Sequence, residues 1–111
     1  MSIENDLNLI KSYEKEYCLD VFGPADVAFV EGKGCWLYDT ANKKYLDMIG
    51  GIAVNSLGHA HPALTRALKK QVDKLIHCCN YYYIPQRAEL AYKLCKSSFA
   101  DKVFFSNSGA E

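Results

Sequence analysis

Val103-Phe104-Phe105-Ser106-Asn107-Ser108-Gly109-Ala110-Glu111 closes the chain, and its reading decides the fold. An apolar run passes into a turn of small residues. The pattern predicts a strand over Lys102 to Ser106 and a helix about to begin at the turn. Such a turn gathers unpaired backbone N–H groups and a serine hydroxyl at a helix N-terminus, where a phosphate dianion is best received. Ser108 offers its hydroxyl, and the Gly109 and Ala110 N–H groups face the anion. Glycine lets the backbone approach closely, and alanine keeps the space clear. The same residues also describe an ordinary strand-to-helix turn, and both readings stand. A chain complete at 111 residues would not be expected to stop there.

Working back from the turn, Pro85 opens a predicted helix to about Ser98, with Ala88, Ala91, Leu94 and Cys95 inward. Pro62 opens another to about His77, with Leu64, Leu68, Val72 and Leu75 on one face. His77 to Ile84 is irregular and thick with aromatics. Gly50 to Pro62 is a Gly-rich connection without clear period, of the kind that is functional or packed against a partner. Before it, Val27–Val30, Cys35–Asp39 and Lys44–Met48 read as three short strands, with turns at Gly32–Gly34 and Thr40–Lys43. Asp6 to Leu19 reads as the opening helix, capped by Asn5 or Asp6 and broken at Gly23-Pro24. Helix, meander, two helices and one strand look like the entry to a larger α/β domain, with too few strands to finish it.

Bulk properties exclude several classes. Half of the 111 residues are apolar, too many for a disordered chain, and the length allows one small domain. The formal net charge is zero, so neither nucleic acid nor an anionic membrane is expected as a main partner. The start, Met-Ser-Ile-Glu-Asn-Asp, lacks the basic and apolar segments of a signal peptide, and no run is long enough to span a bilayer. The five cysteines, Cys18, Cys35, Cys78, Cys79 and Cys95, are odd in number and irregularly spaced, which fits a reducing, cytoplasmic setting. They read as small buried apolar residues.

His59, His61, His77 and the adjacent Cys78-Cys79 could suggest a metal site. Structural zinc sites normally show two spaced ligand pairs, so no metal is expected. Instead, His61 is expected to cap the helix at Pro62 and His59 to make a buried backbone hydrogen bond. Asn80 to Tyr83 could stack on bases, but without a basic groove a subunit interface or pocket wall fits better.

Taken together, the motifs resemble a known family. Glu31-Gly32-Lys33-Gly34 before Trp36-Leu37-Tyr38-Asp39, Gly50-Gly51-Ile52-Ala53-Val54-Asn55, Leu57-Gly58-His59, His61-Pro62 and Asn107 to Glu111 are similar to the N-terminal part of the class-III pyridoxal-phosphate-dependent aminotransferases. Within that class the chain is most similar to the acetylornithine branch. The resemblance covers the chain beyond the first helix and implies an α/β fold, the N-terminal portion of a fold-type-I transferase. Residues 1–48 would belong to the small domain, 49–61 to an active-site and interface loop, and 62–111 to the start of the large cofactor domain.

The resemblance also implies roles. Ser108, Gly109 and Ala110 would bind the phosphate of pyridoxal 5'-phosphate. Ile52 would line the substrate side-chain channel, suiting a donor whose α-nitrogen carries an acyl group; ornithine enzymes of the class carry tyrosine there. Phe22 and Asn80 would be further pocket residues, Asn80 reaching toward a neighbouring subunit. The implied protein is a homodimer with its site at the subunit interface, moving the amino group of N-acetylornithine to 2-oxoglutarate in arginine biosynthesis. Succinylornithine, N-succinyl-diaminopimelate, 4-aminobutyrate and ornithine remain alternative donors, and a non-catalytic interaction module is the alternative class. The family's Schiff-base lysine lies downstream, so no catalytic residue is expected in these residues and they should be inactive alone.

Overall fold

The computed structural model describes residues 3–111; the first two residues of the polar opening segment lie outside them. The chain divides into two compact units, one ending at Lys70 and one running Gln71–Glu111.

In the first unit a single 3-10 turn, Ile3–Asn5, precedes helix α1, Leu7–Tyr17. Asp6 is the cap: its extended backbone (φ −129°, ψ 97°) lets its carboxylate accept from the Leu9 N–H at 3.0 Å. Leu7 and Ile10 are half-buried on one face, as their spacing predicts. The helix stops two residues short of the expected Leu19. Cys18 turns extended (φ −103°, ψ 147°), so the chain leaves the helix well before Gly23-Pro24.

The meander forms an antiparallel sheet in the order β1 (Phe29–Lys33), β2 (Trp36–Asp39), β3 (Lys44–Leu46). β1 starts and ends later than Val27–Val30, and β3 ends before Met48. Lys33 pairs with Trp36 across a two-residue connection, in which Gly34 takes φ +58°. Short hairpin loops need such a conformation, and glycine adopts it without strain. The register slips between Phe29 and Glu31, a bulge centred on Val30. Across the sheet Phe29 and Tyr45 meet edge to face, with centroids 5.3 Å apart, and the Lys44 ammonium lies 3.8 Å from the Trp36 ring centroid.

Asp39 organises the second hairpin. One carboxylate oxygen accepts from the N–H groups of Ala41 (2.9 Å) and Lys43 (2.8 Å), and the other from the Tyr45 hydroxyl (2.9 Å). Asn42 takes the left-handed position (φ 61°). The Lys43 N–H, foremost, holds the Asp39 carboxyl below its ordinary range, with the Tyr45 hydroxyl and the Ala41 N–H acting the same way.

Helix α2 is a single turn, Gly50–Ala53, and α3, Pro62–Val72, follows it, crossing into the second unit. α3 is shorter than expected: beyond it the Gln71 carbonyl accepts from the N–H groups of Lys74 and Leu75, both at 3.0 Å, and the winding ends before His77. α4, Pro85–Ser97, starts where its proline predicts, because Ile84 before it is extended (φ −115°, ψ 112°). Its half-buried stripe is Ile84, Arg87, Ala91 and Cys95, whereas Ala88 and Leu94, expected inward, are exposed.

The expected strand at 102–106 does not form among the described residues. A strand is held by its ladder, and this segment pairs with no strand among the described residues. The turn after it forms, closed by the Glu111 N–H on the Ser108 carbonyl at 3.4 Å.

No described residue is buried. The chain exposes 10310 Å², against roughly 6,200 Å² for a closed monomer of this mass. The apolar stripes drawn by the sequence are present but uncovered: Leu64, Leu68, Val72 and Leu75 are all exposed. The cysteines, expected buried, are free, with Cys18, Cys35 and Cys79 exposed and Cys78 and Cys95 half-buried. Among the described residues, no helix is long and apolar enough to cross a membrane.

The Asp39 geometry predicts a local pH response. A carboxyl whose folded pKa is depressed contributes stability that is present above its unfolded value, ordinarily 3.8, and lost as pH falls through the folded value. Hydrogen exchange should show the Ala41 and Lys43 amides protected at pH 5 and protection lost at pH below that value. Asp39→Ala should remove the protection at both.

Candidate functional site

The Gly-rich connection is built around Asp47. Its own N–H donates to the Cys35 carbonyl at 2.8 Å, fixing it beside the sheet. Its Oδ1 accepts from the N–H groups of Ile49 (3.0 Å) and Gly50 (2.9 Å), and its Oδ2 lies 2.6 Å from His59 Nε2. A carboxylate only accepts, so Nε2 carries the proton in this contact. The side chains are nearly sequestered, 8% exposed for Asp47 and 19% for His59. The Gly50 N–H first, then His59 and the Ile49 N–H, hold the Asp47 carboxyl below its ordinary range.

His59 is locked from both ends. Its backbone exchanges hydrogen bonds with Gly34, at 2.9 and 2.8 Å. Its ring leans on Gly32 so closely that a Cβ there would lie 2.7 Å from His59 Cβ and Cγ. The backbone hydrogen bond expected of His59 is therefore made by its main chain, while its ring takes a carboxylate. His61 caps the start of α3 with its carbonyl, which accepts from the Thr65 N–H at 2.9 Å, but not with its side chain: Nδ1 is buried without a partner. Among the described residues no group of three or more His, Cys, Asp or Glu is arranged to hold a metal ion.

Within the connection, four consecutive residues are left-handed. Gly50 (φ 58°), Gly51 (φ 64°), Ile52 (φ 58°, ψ 57°) and Ala53 (φ 62°) form a consecutive left-handed turn. Glycine tolerates this; a side-chain-bearing residue does so at a cost of about 1–2 kcal/mol each, and a β-branched one is a true outlier. The turn is closed by the Ala53 N–H on the Ile49 carbonyl (3.1 Å) and the Asn55 N–H on the Gly50 carbonyl (2.8 Å). It presents Ile52 outward, 88% exposed. Strain spent on an exposed isoleucine is not explained by local packing.

The remaining expected site residues fall in both units. Phe22, in the first, is exposed beside Leu19 and Val21 on an open surface that Lys11, Glu14, Lys15 and Asp20 also line. Asn80, in the second, has its amide oxygen held by Arg87 Nη1 at 2.5 Å, while Arg87 Nη2 reaches the Tyr82 carbonyl at 3.4 Å. Tyr81, Tyr82 and Tyr83 are all exposed, Tyr83 fully so. Arg87 and Asp47 were missed by the sequence reading. Asp47 sits three residues before Gly50, the spacing of a side-chain cap, which was available as a signal; Arg87 left none.

At the terminal turn, the Asn107 N–H (2.5 Å) and Ser108 N–H (3.3 Å) converge on one oxygen of the Glu111 carboxylate. The N–H groups of Gly109 and Ala110 donate to nothing among the described residues, and a Cβ on Gly109 would meet no atom within 4 Å. Two amides thus already receive an anionic oxygen, two more are free, and the space beside them is open. In donor chemistry, free N–H groups and a hydroxyl beside open space, the turn fits an anion such as a phosphate group.

The profile of the aminotransferase class-III family matches residues 22–111. The chain belongs to the class-III aminotransferases. An acetylornithine aminotransferase of Methanocaldococcus jannaschii is 49% identical over the whole chain, which covers 27% of that protein. The acetylornithine aminotransferase structure from Elizabethkingia anophelis matches 95% of the chain with TM-score 0.89 and 28% identity, over 27% of its own length. The taurine:2-oxoglutarate aminotransferase of Bifidobacterium kashiwanohense, solved in complex with PLP and glutamate, matches 93% with TM-score 0.79 and 26% identity, over 24% of its length. The chain spans about a quarter of the relatives it matches. The uncovered helices and sheet of this class-III chain are thus the N-terminal portion of the aminotransferase fold.

Packing at His59 predicts a contrast between glycines. In the full-length protein, Gly32→Ala should destabilise by about 1–3 kcal/mol, because the new Cβ collides with the root of a locked side chain. Gly23→Ala, with nothing within 4 Å, should leave the denaturation midpoint nearly unchanged.

Proposed function

We propose that this chain is the N-terminal part of a pyridoxal-phosphate-dependent aminotransferase that moves the amino group of N-acetylornithine to 2-oxoglutarate, a step of arginine biosynthesis, in the cytoplasm. The observation that carries the cofactor assignment is the terminal turn, where amides already converge on an anionic oxygen and the next two are free. The amino donor rests on the 49% identity to an acetylornithine aminotransferase and on an exposed apolar residue at position 52.

Ser108, Gly109 and Ala110 hold the cofactor phosphate through a hydroxyl and backbone N–H groups. Pyridoxal phosphate, when bound, supplies an electron-withdrawing ring that takes up charge at the reacting carbon and carries the amino group between donor and acceptor. Anchoring at the phosphate restricts the ring's position, which lowers the entropy cost of aligning the bond to be broken. Ile52 supplies an apolar wall suited to an acylated, uncharged donor end. Phe22 adds a second apolar surface to the pocket. Asn80, oriented by Arg87, offers a polar group toward a neighbouring subunit's site. The lysine that carries the cofactor lies outside these residues, so they do not transaminate alone.

The uncovered surface supports a homodimer. Tyr81, Tyr82, Tyr83, Phe99 and Phe104 are all exposed in one unit. Apolar and aromatic area of that kind is covered by further chain and by a second subunit in an obligate assembly.

The full-length protein loaded with pyridoxal phosphate should form glutamate from N-acetylornithine and 2-oxoglutarate. It should use N-acetylornithine in preference to ornithine and 4-aminobutyrate, as read from kcat/KM. Glutamate formation with none of these donors would overturn the reading. Gly109→Val should weaken cofactor binding at least ~10-fold in a titration of the apoprotein, the loss of about one charge-assisted hydrogen bond and its space.

A further inference from the structure

We propose that Asp47 and His59 form a clamp that holds Gly50–Ala53 in its left-handed turn and thereby fixes Ile52 as a selective wall of the amino-donor pocket. The role of Ile52 in that pocket rests on the proposed function; the clamp itself rests on geometry alone.

Asp47 is tied to three places at once. Its N–H reaches the Cys35 carbonyl beside β2, its Oδ1 takes the Ile49 and Gly50 N–H groups that enter the turn, and its Oδ2 takes His59 at the far end of the connection. His59 in turn is paired to Gly34 and seated on Gly32. The connection is thus a closed loop, pinned at its first and last residues to the same hairpin. Inside it, Ile52 and Ala53 occupy backbone conformations that side-chain-bearing residues avoid.

Neither residue is rewarded by burial. Ile52 is exposed, as are its apolar neighbours Met48, Ile49 and Val54. A strained backbone persists only where surrounding contacts over-determine it; here those contacts are the carboxylate bonds of Asp47 at the entry to the turn and the Ala53 and Asn55 N–H bonds that close it. Released from them, the turn would relax and the Ile52 side chain would leave its fixed direction. A wall that moves no longer discriminates between an acylated and a free amine. Asp47 and His59 are bonded to backbone and to each other, so they are positioning residues acting through Ile52.

Asparagine at position 47 keeps an acceptor for the Ile49 and Gly50 N–H groups, and its amide can donate to a neutral ring nitrogen of His59. It is the conservative variant. Alanine removes every side-chain bond of the clamp.

The test uses the full-length holoenzyme and two readouts. The first is hydrogen exchange at the Ala53 and Asn55 amides, which close the turn and report it whether or not the enzyme is active. Asp47→Ala should speed their exchange at least ~10-fold, and Asp47→Asn should restore most of the protection. The second is the ratio of kcat/KM for N-acetylornithine to that for ornithine. Asp47→Ala should lower this ratio ~5-fold or more, mainly through KM of the acetylated donor, with cofactor content unchanged.

Ile52→Ala separates the possible failures. If Ile52→Ala changes the donor ratio, and Asp47→Ala has no further effect in that background, the clamp acts through Ile52 as proposed. If Ile52→Ala changes the ratio while Asp47→Ala alters neither ratio nor exchange, the clamp is refuted and the pocket role of Ile52 survives. If Ile52→Ala leaves the ratio unchanged, the pocket role fails, and the selectivity part of the inference fails with it. Should Asp47→Ala lower activity on all donors alike together with cofactor content, its role is general stability, and the proposal is wrong.

Discussion

One carboxylate joins the parts of the first unit. Asp47 accepts from two backbone N–H groups and a histidine ring, with its own N–H bonded to the sheet. A nearly buried carboxylate is costly unless its lone pairs are filled, and here they are filled by groups from both ends of a Gly-rich connection. The result is that a stretch with no period and no regular structure of its own acquires a defined path. The left-handed turn at Gly50–Ala53 and the outward isoleucine lie on that path.

A second feature shapes everything else: the described residues bury none of their number. Amphipathic helices and a thin sheet are formed by local rules, because capping, hairpin turns and proline placement act over a few residues. Their apolar faces are closed only by additional protein. The chain spans about a quarter of its relatives, and the exposed stripes on α3 and the tyrosines after it are the surfaces that such protein would cover. The class-III family and the structural similarity to acetylornithine aminotransferase place these elements at the N-terminal portion of a much larger fold.

Much of the local structure was legible. Asp6 as a cap, Pro62 and Pro85 as helix starts, and the three-stranded meander followed from residue chemistry that acts within a turn or a hairpin. The boundaries were less so: α1 ends where Cys18 turns extended, and α3 ends before His77. The strand at 102–106 was read from its apolar run alone and lacks a ladder among the described residues. Buried cysteines and an inward Leu94 were expected from hydrophobicity, which states a preference for burial and not the presence of a cover.

The candidate site divides in the same way. By itself, the sequence determined the residues available: a small-residue turn at Ser108 to Ala110, an isoleucine set beside glycines, and a family resemblance that the matched profile bears out. Only the tertiary structure decided how those residues are held. That Asp47 serves His59 and the turn, rather than belonging to a longer β3, required contacts between residues twelve positions apart. Sequence patterns report interactions within a few residues, whereas the pairing of a carboxylate with a distant ring depends on a path of backbone that is itself set by the pairing.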